Sequence, residues 1–335
     1  MKTNNLSEFS LINRIANKFH QYKKDVLKGI GDDAAVVKIN KDKCFLYTCD
    51  TLVSGVHFLE KYATPYQIGQ KAAAINISDI AAMGGKPKYF LVSLFLPQGT
   101  TEKFIDQLYQ GLIEKCNLYD IDIIGGNIAR SNQFIIDLFL IGGVSAKNLL
   151  LRSGAKVGDL VLVTGTLGDS AAGLKLLQNP TINISAPNRK KLISRYLSPT
   201  SRIKEGMLIA KSGKASAMID ISDGLSSDLI HICEESKAGV KLYLDKLPVS
   251  DSAKKIAELT NRSYLDLALN GGEDYELCFT VPYKNASFLV QQLKKKTKTK
   301  ITVIGEIIPQ KQGKWLIGKT GEKTPLIPKG WDHFL

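Results

Sequence analysis

Apolar runs of strand length alternate with segments of helical period along the whole of this 335-residue chain. Residues 34–39, 44–48, 89–96, 122–124 and 134–144 read as strands, and 101–118 has the spacing of an amphipathic helix. Thr64 caps a second helix with Pro65 in its first position, and that helix runs through the small-residue stretch 72–83 to Gly84-Gly85. Ser7 and Glu8, followed by Leu11, Ile12, Ile15 and Phe19, predict an N-terminal helix. Past Leu149 the alternation resumes, with strands at 160–164, 218–221, 241–244, 276–281 and 301–307 and helices at 169–177, 189–196 and 224–236. Interleaving of this kind selects α/β and α+β folds. The length suits two domains of ~100–200 residues. A polar turn, Arg152-Ser153-Gly154, follows the last strand of the first half, so we expect domains over 1–148 and 149–335.

The acids gather in turns at strand ends. Gly29-Ile30-Gly31-Asp32-Asp33-Ala34-Ala35 sets two adjacent carboxylates in a glycine turn before an apolar run, an arrangement that suits a hard divalent cation. The same residues fit G-x-G-x-x-A, but a dinucleotide fingerprint follows a strand and opens a helix, and here a helix precedes and a strand follows. Asp50 ends a strand, Asp79 lies within the small-residue helix, and Asp220, Asp223 and Asp228 lie in Ile219-Asp220-Ile221-Ser222-Asp223-Gly224-Leu225-Ser226-Ser227-Asp228. Strand alternation places Asp220 and Ser222 on one face. Glu273 follows Gly271-Gly272. Taken singly, each acid reads as a cap or a turn residue, with Asp223 capping a helix and Asp228 a solvated first-turn acid. Taken together they form a multi-metal cluster whose mutual repulsion demands cations. Gly168 and Gly173 have P-loop spacing, but Leu174 stands where the phosphate-binding lysine is required. Several Mg²⁺ ions without that lysine point to an NTP site in which metal neutralises phosphate, with Arg152 and Arg130 as phosphate forks. The four histidines, His20, His57, His231 and His333, have no nucleophile-elbow serine beside them.

A net charge of +13 favours polyanions, but the lysines are dispersed and the one dense run, Lys294 to Lys300, reads as a solvated helix end and turn. No base-stacking module accompanies the charge, so no nucleic-acid partner is expected. Five cysteines without C-x-x-C spacing argue for a reducing compartment. With no signal-type apolar segment at the start and no apolar stretch of membrane length, a cytoplasmic protein with no membrane association is expected.

Six motifs, taken in order, resemble the thiamine-monophosphate kinase family: the Gly29–Ala35 turn, Asp50-Thr51-Leu52-Val53-Ser54-Gly55-Val56-His57-Phe58, Asn76-Ile77-Ser78-Asp79-Ile80-Ala81-Ala82-Met83-Gly84, Leu151-Arg152-Ser153-Gly154-Ala155, Asp220-Ile221-Ser222-Asp223-Gly224-Leu225 and Gly271-Gly272-Glu273-Asp274-Tyr275-Glu276-Leu277. Gly330-Trp331-Asp332-His333-Phe334 extends the resemblance to the chain's end. It implies the two-domain aminoimidazole-ribonucleotide-synthetase-like fold, with an N-terminal mixed sheet and helices, a C-terminal α+β domain, and a homodimer formed through the N-terminal sheets. It implies direct in-line transfer of the γ-phosphoryl of ATP to thiamine monophosphate, with several Mg²⁺ ions. By position, Asp33, Thr48, Cys49, Asp50, Asp79, Asn127, Asp220 and Asp223 take the metal sites, with Asp50 and Asp220 catalytic. Gly126, Arg152 and Ser222 take the ATP, and His57, Glu273 and Trp331 the thiamine phosphate. Trp331 can stack on the cationic thiazolium. Two residues depart from the family pattern. Asn127 replaces a carboxylate, so one ion is held more weakly, and Cys49 replaces a threonine, leaving its backbone carbonyl as the usable ligand. The alternatives are a non-catalytic or weakly active thiamine-phosphate or nucleotide binder, and a superfamily enzyme acting on a ribonucleotide or a hydrogenase-maturation substrate.

Overall fold

A computed structural model describes residues 7–18, 22–331, 333 and 334; Phe19, His20 and Asp332 lie outside these. The first half contains α1 (Glu8–Ala16), β1 (Val26–Lys28), β2 (Ala35–Lys38), β3 (Lys43–Val53), α2 (Pro65–Ala82), β4 (Lys86–Leu96), α3 (Glu102–Tyr119), β5 (Asp122–Arg130) and β6 (Ile135–Ser145). Its six strands form one sheet in the order β1-β2-β3-β6-β4-β5. All neighbours are antiparallel except β4 and β5, which run parallel. β3 and β5 extend well beyond the segments expected from sequence, because the polar residues Cys49, Asp50, Thr51 and Asn127 continue the ladders past the apolar runs.

The second half contains β7 (Asp159–Thr164), α4 (Asp169–Gln178), α5 (Ala186–Leu197), α6 (Ile203–Ser212), β8 (Ala217–Asp220), α7 (Leu225–Glu235), β9 (Ala238–Tyr243), α8 (Asp251–Leu259), α9 (Tyr264–Asn270), β10 (Leu277–Pro282), α10 (Tyr283–Thr297), β11 (Ile301–Pro309), β12 (Lys314–Ile317) and β13 (Lys323–Pro325). Its seven strands run β13-β12-β9-β11-β7-β10-β8. β12 and β9 are parallel and the rest antiparallel, so both sheets are mixed. β8 ends at Asp220, so Ser222 lies outside the strand and the expected shared face of Asp220 and Ser222 does not apply.

α2 occupies the centre. Its capping box is complete, with the Thr64 hydroxyl accepting from the Gln67 N–H and the Gln67 side chain accepting from the Thr64 N–H. It is buried on nearly every side, since it packs against the first sheet, α3, α5, α6 and β8. Small side chains permit that crowding. A Cβ at Gly69 would sit 2.1 Å from the Leu108 carbonyl, and one at Gly111 1.9 Å from that of Tyr66, so glycine is required where α2 and α3 cross. Strand alternation then sorts the second sheet between two cores. Leu162, Met218, Leu277 and Phe279 join Ile77, Ile80, Leu46 and Leu138 in the core around α2. Val161, Val163, Ile219 and Cys278 pack instead with Leu229, Ile232 and Ile256. Each half therefore contributes to the packing of α2, and this brings the acid-bearing turns of both halves to one place.

Candidate metal and phosphate centre

One carboxylate oxygen from each of Asp33, Asp79 and Asp220 lies within 4.8 Å of the others. Asp33 is carried by the turn before β2, Asp79 by α2 and Asp220 by the last residue of β8. The helix supplies the supports. Ser78 Oγ donates to Asp220 Oδ2 at 2.5 Å, and the Asn76 side-chain oxygen accepts from the Asp50 N–H at 3.2 Å. The Thr48 hydroxyl donates to Asp79. Burial raises the pKa of each acid, and the neighbouring acids raise most of them further. Asp220 is pushed up to about 8 by burial and Asp33, and Asp50 to about 6 by burial, Asp137 and Asp33. Asp79 is held well above its ordinary value by burial, Asp50 and Asp220. Asp33 is raised by burial despite Arg152, and its Oδ2 is buried without a hydrogen-bond partner. Anionic oxygens gathered out of water, hydroxyl-braced and under-compensated, fit a hard divalent cation.

Arg152 is the cation nearest this group. Its Nε and one terminal nitrogen donate to Asp33 Oδ1 at 3.2 and 2.7 Å. Its backbone N–H donates to both oxygens of Asp32 at 3.2 and 3.3 Å. Asp32, raised to about 7 by burial and by Asp33, therefore braces the turn while Asp33 faces the cluster. Arg130 lies elsewhere, on the exposed edge strand β5, where it donates to Gln98 at 2.6 Å. Asp228 is 2% exposed and accepts from the Gly224 N–H at 3.0 Å, which corrects the expectation of a solvated acid. Burial and Asp223 hold its pKa well above the ordinary range. Gly224 itself occupies the cap position that the sequence suggests for Asp223.

The sheet separates the remaining metal candidates. Thr48 and Asp50 alternate inward on β3, whereas Cys49 and Thr51 face outward. Cys49 Sγ donates to Asp137 at 3.6 Å and Thr51 Oγ1 to the same oxygen at 2.6 Å. Asp137 pairs with Ser93, and Ser93 with Asn127, so Asn127 shares that outward face, exposed at the sheet edge beside Gly126. The two departures from the family pattern thus lie on the same side of the sheet, opposite Asp50.

A second cluster gathers where the thiamine-phosphate residues were expected. His57 Nδ1 accepts from the Val53 N–H at 3.0 Å, which leaves its proton on Nε2, 3.4 Å from Nε2 of His333. Burial, His333 and Lys71 lower the His57 pKa to about 4, so the ring is neutral. The Trp331 ring stands perpendicular to His333 with centroids 5.8 Å apart, and the Trp331 backbone N–H donates to the Asp223 carbonyl at 3.1 Å. Glu273 adopts a left-handed backbone at φ 56° and donates its N–H to the Ser222 carbonyl at 2.6 Å. Its carboxylate meets Lys71 Nζ at 2.5 Å. Sequence reasoning missed Lys71, although a lone cation in the buried run of α2 was a visible signal. Ser78 and Asp137, which brace other groups, gave no such signal.

Residues 31–144 match the AIR synthase related protein N-terminal domain, and residues 156–317 match the corresponding C-terminal domain. Thiamine-monophosphate kinase of Buchnera aphidicola subsp. Acyrthosiphon pisum is 41% identical over 98% of this chain and 99% of its own length. Thiamine-monophosphate kinase of Escherichia coli (strain K12) is 41% identical, with 98% of each chain covered. The structure of AaThiL complexed with AMPPCP and TMP superposes with a TM-score of 0.84 at 36% identity, covering 100% of this chain and 99% of that one. These likenesses agree with the motifs and with the two mixed-sheet halves around α2: the chain belongs to the thiamine-monophosphate kinase family and is built from two AIR synthase related domains.

Proposed function

We propose that this protein phosphorylates thiamine monophosphate to thiamine diphosphate at the expense of ATP. The observation that carries the reading is the largely buried Asp33–Asp79–Asp220 group in a chain 41% identical, nearly end to end, to a thiamine-monophosphate kinase. Mg²⁺ held there would supply positive charge to the polyphosphate and to the transferred group. Asp33, Asp79 and Asp220, with Thr48, Asp50 and Asp223, are the residues we assign to hold it. Asp50 and Asp220 are assigned to the reacting end, since Asp220 is buried, Asp50 half-buried, and both are raised by neighbouring acids. Arg152 is assigned to the ATP phosphates together with Ser222, and its guanidinium can exchange one Asp33 oxygen for a phosphate oxygen without leaving the cluster. His57, Glu273 and Trp331 are assigned to the thiamine phosphate.

We further propose a homodimer through the outward face of the first sheet. Tyr47 and Phe139 stack there at 6.0 Å, and Tyr89 and Leu91, 38% and 36% exposed, continue the apolar surface. Apolar surface of this kind on a sheet marks an association face. Cys49, Gly126 and Asn127 lie on or beside it, so their share in metal and ATP binding is proposed for the dimer, where that face is covered. The domain boundary is placed between 148 and 149, in the stretch separating the two family matches. All five cysteines are free, which supports a reducing, cytoplasmic setting. Among the described residues no helix is long and apolar enough to cross a membrane.

The test is direct. Purified protein with ATP, Mg²⁺ and thiamine monophosphate should yield thiamine diphosphate by chromatography. No product across a wide Mg²⁺ range would sink the reading, and saturable thiamine-monophosphate binding without product would favour the non-catalytic binder.

A further inference from the structure

We propose that Lys71 is the positioning residue of the substrate end, an ammonium that fastens Glu273 and the His57 loop in register with each other. The proposal rests on the reading above that these two residues receive thiamine monophosphate.

Lys71 is 2% exposed, in a helix whose neighbours on the same turns are also buried. An ammonium in such a place is costly unless it is well partnered, and a hydrophobic residue of similar volume would serve packing as well or better. Its value therefore lies in what it holds. Nζ lies 2.5 Å from Glu273 Oε1, 3.4 Å from the His57 carbonyl oxygen, and 4.0 Å from the centre of the Tyr196 ring. These three partners come from the loop after β3, from α5 and from the turn before β10. The Glu273 side chain is 29% exposed, so Lys71 grips it from the buried side and leaves the carboxylate open towards solvent. Glu273 needs such a hold, because its backbone sits in the left-handed region at φ 56°. Eight residues further along the same helix is Asp79, about 12 Å at 1.5 Å per residue. One rigid helix thus carries both the cation that fixes the ring-binding end and a carboxylate of the phosphate end. Lys71 sets where the acceptor's ring sits relative to the acids, without itself touching the reacting atoms.

The test is steady-state kinetics and calorimetry on the full chain. Lys71→Met should raise the KM for thiamine monophosphate at least tenfold and leave the KM for ATP within twofold. Lys71→Arg, which keeps the charge, should recover part of the loss. The double variant Lys71→Met/Glu273→Gln should match Glu273→Gln alone, because Lys71 acts through that carboxylate. It also leaves no unpaired buried charge, so it carries the test if Lys71→Met fails to fold. An unmoved KM for thiamine monophosphate, an equal rise in both KM values, or a further tenfold rise in the double variant over Glu273→Gln would overturn the proposal. If the wild type forms no thiamine diphosphate, the kinase reading falls, and the calorimetric Kd for thiamine monophosphate then reads Lys71 by itself. A wild type that neither binds nor phosphorylates it removes both.

Discussion

Two sets of buried acids in this molecule are treated in opposite ways. Glu276, fully buried, accepts from Arg195 at 2.6 Å, from Arg202 at 2.6 and 2.5 Å and from the Thr164 hydroxyl at 2.5 Å. Burial pushes its pKa up, but the two guanidiniums outweigh that and hold it below the ordinary glutamate value. Asp33 and Asp220 have the Arg152 guanidinium as a neighbour, Asp79 is influenced chiefly by other carboxylates, and all three are raised. The fold therefore completes one ionic network from its own side chains and leaves the other short of positive charge. A finished network is a structural joint, and an unfinished one is a binding site. The distinction gives the two sets opposite responses to substitution, metal and pH.

The largest effect is expected at Asp220. Asp220→Asn should lower turnover by roughly 10³-fold, several kcal/mol of lost charge stabilisation at about 1.4 kcal/mol per tenfold. In chelator the same variant should be at least as stable as the wild type, with a gain of about 1 kcal/mol shifting Tm by roughly 2–4 °C. The pH dependence carries the sign. Asp220 rises from 3.8 unfolded to about 8 folded, so its contribution is fully present below pH 3.8 and is lost as pH rises through 8. Metal-free wild type should weaken across that window, and the variant should show a shallower slope in calorimetry. Saturating Mg²⁺ near 100 times its Kd should restore about 2.7 kcal/mol to the wild type. A variant with near-normal turnover would end the assignment of Asp220 to the site.

Glu276→Gln should break the other set. Removing one member of a buried ionic network costs about 3 kcal/mol here, at the lower end because the amide keeps one acceptor oxygen. The glutamate's folded pKa lies below its unfolded value of 4.5, so its contribution is present above that value and lost as pH falls. The variant should lose stability at neutral pH by urea unfolding and flatten the acid limb of the stability curve, with no change in the Mg²⁺ response. If instead the Mg²⁺ response moved with it, the two sets would be one network and the contrast would fail.

Much of this was legible in the chain. The caps and small residues of α2, the strand end bearing Asp220, and the glycine turn at Asp33 are local signals, and local physics read them, whereas Asp50, expected at a strand end, lies inside β3, which runs on to Val53. What was lost depends on partners far away in sequence. Glu276 reads as the start of a strand until Arg195 and Arg202 fold onto it. Asp228 reads as a solvated acid because nothing local announces that α7 is buried there on the second core. The side-chain faces of Cys49 and Asn127, opposite that of Asp50, follow from strand alternation and register, which the motif does not carry.

Lys115 supplies the smallest and sharpest test, because it is a buried charge belonging to neither set. It is 6% exposed and donates to the Pro199 carbonyl at 2.9 Å. Burial alone lowers its pKa from 10.5 to about 8, with no carboxylate raising it. The unfolded chain therefore binds the proton more tightly than the folded one between those values, and wild-type stability should rise as pH climbs from about 8 to 10.5. Lys115→Met removes the buried charge and forfeits one hydrogen bond, a net gain of about 1 kcal/mol at pH 7. That gain should shrink above pH 8, the opposite trend to Asp220→Asn in chelator. If Lys115→Met destabilises at every pH, the carbonyl it serves matters more than the charge it buries. Single-partner burial would then have to be grouped with the Glu276 joint.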